Sequence, residues 1–176
     1  MRGSERCHTT LDCLDPVLDA DALRDLRRTG VDQHELGTIV SGGRYRLTEP
    51  DNHHVIWAVR DVIADQWAVA AGRQVERPGV LANVARPWML ATPDRRVLGC
   101  PMHPGGCGLD VQLGDPPAVW TCMNLWVLAV TGWDAVHVAR VTRDAVEFGA
   151  AVERDEERQE ALVELVERTR SGWVAA

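Results

Sequence analysis

Apolar residues recur at helical spacing in several long stretches of the chain and alternate with polar ones in a central block. In HHVIWAVRDVIADQWAVAA, residues 53–71, Ile56, Val59, Ile63, Trp67 and Ala70 share one helical face, and Gly72 terminates the pattern. Residues 32–40 predict a shorter helix that buries Leu36, Ile39 and Val40 and stops at Gly42-Gly43. Residues 19–28, DADALRDLRR, predict another. Asp19 or Asp21 caps it, Leu23 and Leu26 form its apolar stripe, and Arg24, Arg27 and Arg28 suit the negative end of the helix dipole. Residues 118–130 are apolar almost throughout, which predicts a buried helix closed by Thr131-Gly132. Residues 154–173 predict an amphipathic helix with Leu162, Leu165 and Val166 inward and many Glu outward.

Strand signals fill the intervals. Residues 135–141, AVHVARV, set Val136 and Val138 against His137 and Arg140, as in a strand with a polar outer face. Residues 145–152 predict an edge strand, and residues 73–84 a strand pair turning at Pro78-Gly79. The block ATPDRRVLGCPMHPGGCGLDVQ, residues 91–112, reads as two short strands joined by a cysteine-bearing turn. Asp94 precedes the apolar Val97-Leu98. Further on, Asp110 and Gln112 point to one face while Leu109, Val111 and Leu113 point to the other. Two carboxylates on neighbouring strands, with a third group beside them, suffice to hold a hard divalent cation such as Mg²⁺. Turn chemistry and an exposed strand face account for the same residues without a metal. Strands clustered centrally with helices around them indicate an α/β or α+β domain, here residues 19–176 behind an irregular tail at 1–18.

Composition narrows the function classes. The chain has 176 residues and 45% hydrophobic content, enough for one domain with a real core. A net charge of −7 argues against a protein that coats DNA by general basicity, although a small basic channel on an acidic body stays compatible. No apolar run approaches the length of a transmembrane helix, and MRGSERCHTT has no signal-like apolar core, so a cytoplasmic protein with reduced thiols and no membrane partner is expected. The cysteine count is five, an odd number. Cys100, His103 and Cys107 form C-x2-H-x3-C in a Pro/Gly-rich turn. With a fourth ligand from Cys122 or from Cys7 or Cys13, this set would bind structural zinc; without one it is a turn holding free thiols. Of the seven Trp, Trp120, Trp126 and Trp133 are expected in the core or at a subunit interface, and His137 on an exposed strand face.

Taken in order, several segments resemble the YqaJ-type viral recombinase family, relatives of phage lambda exonuclease within the PD-(D/E)xK nucleases. LRRTGVDQHELGTIVSGGRY is similar to the family's opening motif, LRRTGIGGSDVAAILGLSPY. VRDVIADQWAVAAGRQV resembles its helix lExxIxxxyxxxTGxxV, and PWMLATPDRRV its hPxxxaspDgxv. LDVQ stands where the family has the strand (D/E)xK, NLWVLAVTGWDAVHVARV resembles its segment leading to Val-Thr-Gly, and VERDEERQEALVELVERTRSGW its closing helix. The resemblance implies a central mixed β-sheet flanked by helices and a Mg²⁺- or Mn²⁺-dependent DNA exonuclease. It also implies a single-strand-annealing recombinase as partner, a ring-shaped homotrimer around DNA, and a phage or prophage setting.

The resemblance carries over unevenly. Asp94 and Asp110 take the places of the family's metal-binding carboxylates, and Gln112 replaces the lysine that assists the attacking water. Gln112 can orient water but cannot stabilise a developing oxyanion as an ammonium does. The helix glutamate becomes Arg60, an expected partner of Asp94 or Asp110 that would neutralise their charge, and Asp61 beside it is rotated by ~100° about the helix axis. The glutamine before Val-Thr-Gly falls near Met123, with Asn124 adjacent. In the opening motif the acidic pair becomes His34-Glu35, which with Arg27 and Arg28 make the candidate DNA contacts. Three classes of function stay open, with weak or lost hydrolysis favoured over full activity. They are a metal-dependent nuclease using Asp94, Asp110 and Gln112, a non-catalytic DNA- or partner-binding protein on the same fold, and a zinc-stabilised interaction domain.

Overall fold

The computed structural model describes residues 30–43 and 53–174. The helix expected at residues 19–28, Arg27, Arg28, Cys7 and Cys13 lie outside the described residues. Within them the order is α1 (Gln33–Val40), α2 (His53–Ala71), β1 (Gln74–Glu76), β2 (Leu81–Ala82), β3 (Leu90–Ala91), β4 (Arg95–Leu98), β5 (Cys107–Leu113), α3 (Trp120–Thr131), β6 (Ala135–Val141), β7 (Val146–Glu153) and α4 (Glu156–Val174). The result is an α+β fold whose central mixed sheet is flanked by helices.

Five strands form that sheet in the order β1-β4-β5-β6-β7. Only β5 and β6 run parallel, and α3 is the crossover between them. A parallel pair cannot be joined by a tight turn, so a long crossover is required, and the apolar α3 supplies it. α3 ends at Gly132, whose φ of 69° is the left-handed conformation that glycine adopts without a Cβ clash. α1 begins at Asp32, whose carboxylate accepts from the amides of His34 and Glu35 at 2.8 and 2.9 Å.

The sheet separates two apolar clusters. One gathers Leu36, Trp126, Leu128, Val136, Leu162 and Val166 from α1, α3, β6 and α4. The indole of the fully buried Trp126 donates to the carbonyls of Val31 (3.2 Å) and Leu90 (3.0 Å), tying the entry to α1 and strand β3 to the core. The other cluster packs Ile63, Ala64 and Trp67 of α2 on Val97, Cys107, Leu109, Val111, Ala135 and Ala139. Leu109, Val111 and Leu113 thus face α2, as their alternation requires.

Three expectations are corrected. The strands at residues 73–84 are no hairpin: β1 pairs with β4 in the main sheet, whereas β2 pairs with β3 in a separate two-stranded sheet. Val59 and Ala70 of α2 are exposed, because the buried line of the helix runs through Ile63, Ala64 and Trp67 instead, with Arg60 half-buried beside it. His137 is buried rather than exposed: β6 lies between β5 and β7, and at this position Trp67 of α2 covers the strand.

Candidate functional site

Asp94 ends the segment entering β4, and Asp110 lies on β5. Antiparallel pairing of Arg95 with Leu109 brings the two carboxylates near enough to act on one another. Asp94 is fixed at both oxygens. Its Oδ1 accepts from Arg60 Nη1 at 2.9 Å and its Oδ2 from the Val111 amide at 2.8 Å. Two residues earlier, Thr92 is clamped by Gln33, whose side-chain amide donates to the Thr92 carbonyl (2.9 Å) and accepts from its N–H (3.0 Å). Burial pushes the Asp94 carboxyl up, and the adjacent Asp110 pushes it further, to about 7, against the pull of Arg60 and the Val111 amide. Two abutting carboxylates cannot both stay ionised without a balancing charge, whether proton or cation. Here Arg60 stands beside them.

Asp110 is surrounded by donors on a single oxygen. Its Oδ2 accepts from Gln112 Nε2 (2.6 Å), Trp120 Nε1 (2.6 Å) and Asn124 Nδ2 (3.0 Å). Trp120 and Asn124 are four residues apart at the start of α3, so they share the face turned to β5. Sequence reasoning missed Trp120 in this role and noted Asn124 only as a neighbour of Met123. The i, i+4 spacing of two N–H donors at the mouth of an apolar helix was the available signal.

Asp61, one step along α2 from Arg60, turns away from the pair. It forms ion pairs with Arg77 and Arg95, and Arg95 Nη1 also donates to the Asp94 carbonyl at 2.6 Å. His34 and Glu35 sit partly buried on α1. Burial, and then Asp32, hold Glu35 above the usual carboxylate range while Arg170 pulls it down; neither carboxylate of the pair is among these influences.

These residues do not fit a Mg²⁺ site. Mg²⁺ needs near-octahedral oxygen ligands and keeps several waters. Here one Asp94 oxygen faces a guanidinium, the other a backbone N–H, and three N–H donors converge on Asp110. Donor hydrogens and a fixed cation repel a second cation. Among the described residues no third His, Cys, Asp or Glu side chain joins Asp94 and Asp110 as a metal-ligating group.

Such a group does exist elsewhere. Cys100, His103, Cys107 and His137 bring one ligand atom each to within 4.8 Å of one another and could hold a metal ion. Cys100 Sγ lies 3.5 Å from His103 Nδ1 and 3.7 Å from His137 Nε2. The fourth member is therefore His137, not Cys122. Cys122 packs against the α1/α3/α4 cluster, on the far side of the sheet from Cys100 and Cys107. His137 reaches the cysteines because β5 and β6 are parallel neighbours, with Cys107 opposite Ala135 and Leu109 opposite His137 on the α2 side. Burial pushes the Cys107 thiol up, to about 12, and Cys100 adds to the shift. Burial also lifts Cys100, but hydrogen bonds from His103 and Cys107 outweigh it and hold that thiol below its usual range.

No family model and no curated protein sequence matches the chain. Among solved structures it is similar to an alkaline exonuclease from Laribacter hongkongensis, with a TM-score of 0.55 and 12% identity over 86% of this chain and 97% of that one. A second similar structure, described as SSO0001, has a TM-score of 0.49 and 10% identity, covering 85% of this chain and 82% of that one. The first likeness establishes a nuclease-like fold.

Proposed function

We propose that this chain is a DNA-processing protein of the YqaJ/lambda-exonuclease type whose hydrolytic site is closed, so that it engages DNA or a protein partner without cutting phosphodiesters. The observation that carries this reading is the ion pair between Arg60 and the buried Asp94, 2.9 Å apart. A guanidinium beside Asp94 supplies the positive charge that a catalytic metal would supply, but it cannot activate water. Gln112 compounds the loss. It donates to Asp110 instead of presenting a charged group to an attacking water. DNA as ligand is supported by the exonuclease-like fold and by the sequence resemblance. An annealing recombinase as partner and a ring-shaped trimer rest on the resemblance alone.

The test uses linear, end-labelled duplex DNA with Mg²⁺ or Mn²⁺. The duplex should stay intact with wild type and Asp94→Ala alike, and calorimetry should detect no Mg²⁺ binding to either. Degradation by wild type that disappears in Asp94→Ala would make Asp94, Asp110 and Gln112 a working catalytic set and overturn the proposal.

A further inference from the structure

We propose that Cys100, His103, Cys107 and His137 form a closed tetrahedral site for a single zinc ion, which clips the β4–β5 turn to strand β6. Two thiols and two imidazoles are the ligands of structural zinc and are poor partners for Mg²⁺ or Ca²⁺. Zn–S bonds of about 2.3 Å and Zn–N bonds of about 2.0–2.1 Å set tetrahedral ligand atoms roughly 3.3–3.8 Å apart. The two S···N separations at Cys100 are 3.5 and 3.7 Å, and all four ligand atoms lie within 4.8 Å of one another. Small movements therefore complete the tetrahedron.

The surroundings also suit zinc. Cys107 is fully buried, while Cys100 and His137 are nearly so. Four protein ligands leave no open position, which marks a structural rather than a catalytic ion. With Nδ1 of His103 on the metal, its Nε2–H donates outward, and Glu153 Oε2 stands 3.4 Å from that nitrogen. A carboxylate behind a ligating histidine fixes its tautomer and raises its basicity. The Trp67 ring packs on His137, with centroids 5.2 Å apart.

The turn leaves its Met102 70% exposed; beyond the four candidate ligands it is anchored by Gly106 lying against the Trp133 ring and by hydrogen bonds from Gly105 to the Asp134 carboxylate and from the Asp134 amide to Gly106. A metal ion would add a direct link from this turn to His137 of β6. A two-iron cluster is a poor fit, because it would hold thiols and imidazoles on different irons, whereas both histidine nitrogens crowd the same sulfur.

Protein purified without chelator or metal-affinity resin should carry one zinc per chain, with an X-ray absorption spectrum of two sulfur and two nitrogen ligands. His137→Ala should bind zinc at least ~100-fold more weakly, and a strong chelator should lower the thermal midpoint of wild type but not that of the variant. No zinc after incubation with one equivalent under reducing conditions, iron in its place, or a Cys100–Cys107 disulfide in the reduced-purified protein would each overturn the proposal. Wild-type zinc affinity in His137→Ala would overturn the four-ligand assignment. If that variant does not fold, the wild-type metal content and ligand spectrum decide the matter.

Discussion

Arg60 and Asp94 are unequal partners: the arginine side chain is 26% exposed and the aspartate 5%. Breaking a fully buried pair costs about 3–5 kcal/mol, and an exposed pair is worth about 0–1 kcal/mol. Arg60→Gln should therefore cost roughly 1–3 kcal/mol, seen as a lower urea midpoint near neutral pH. The same site predicts a pH dependence. Asp94 is raised from 3.8 to about 7 in the folded chain, so the folded state binds the extra proton within that window. The contribution is fully present below the ordinary carboxylate value and is lost as pH rises through about 7. Asp94→Asn binds no proton, so its stability relative to wild type should climb between about pH 4 and pH 7 and level off above. A difference that stays flat across that range, measured by denaturant midpoints, would rule out the raised carboxyl. The pairing of Arg60 with a carboxylate was legible from the charge reversal in the helix. The donor ring around Asp110 was not, because it depends on how α3 is aimed at β5.

At the scale of elements, the end of the β4–β5 turn and the start of β5 lie against Trp133, at Gly106 and Gly108. A Cβ on Gly108 would sit 2.8 Å from Trp133 Cζ3, inside contact distance of a buried ring that cannot swing away. Gly108→Ala should cost roughly 1–3 kcal/mol by overpacking, read as a lower thermal midpoint in zinc-replete buffer. α2 and β6 occupy the residues that their periodicities predicted, His53–Ala71 and Ala135–Val141. The failures share one cause. A period-2 pattern shows that a segment is a strand but not which strand it pairs with. Pro78-Gly79 looked like a hairpin turn, yet β1 and β2 join different sheets. His137 looked solvent-facing, yet α2 covers β6 at that position through Trp67.

For the whole molecule, a net charge of −7 means that the proposed DNA binding would have to come from a local basic surface rather than from the average field. Contacts to two to four phosphates would give a slope of log affinity against log salt of roughly −2 to −4. Arg27→Ala with Arg28→Ala should flatten that slope by about 2 if both arginines hold phosphates. Fluorescence anisotropy with labelled duplex across a salt series reads both values, and an unchanged slope would remove the two arginines from the interface. No helix among the described residues is long and apolar enough to cross a membrane.

What the sequence determined alone is local: where helices and strands lie, which face of β5 carries Asp110 and Gln112, and that Cys100, His103 and Cys107 share one turn. Those properties follow from periodicity and from spacings of a few residues, which survive in a linear reading. Only the tertiary structure decided which distant groups meet. The parallel register of β5 and β6 delivered His137 to the two cysteines, and the antiparallel register of β4 and β5 set Asp94 against Asp110. The packing of α2 laid Arg60 on Asp94. Each of these depends on strand order and helix placement, which are set by burial of the whole apolar surface at once and by no single stretch of chain.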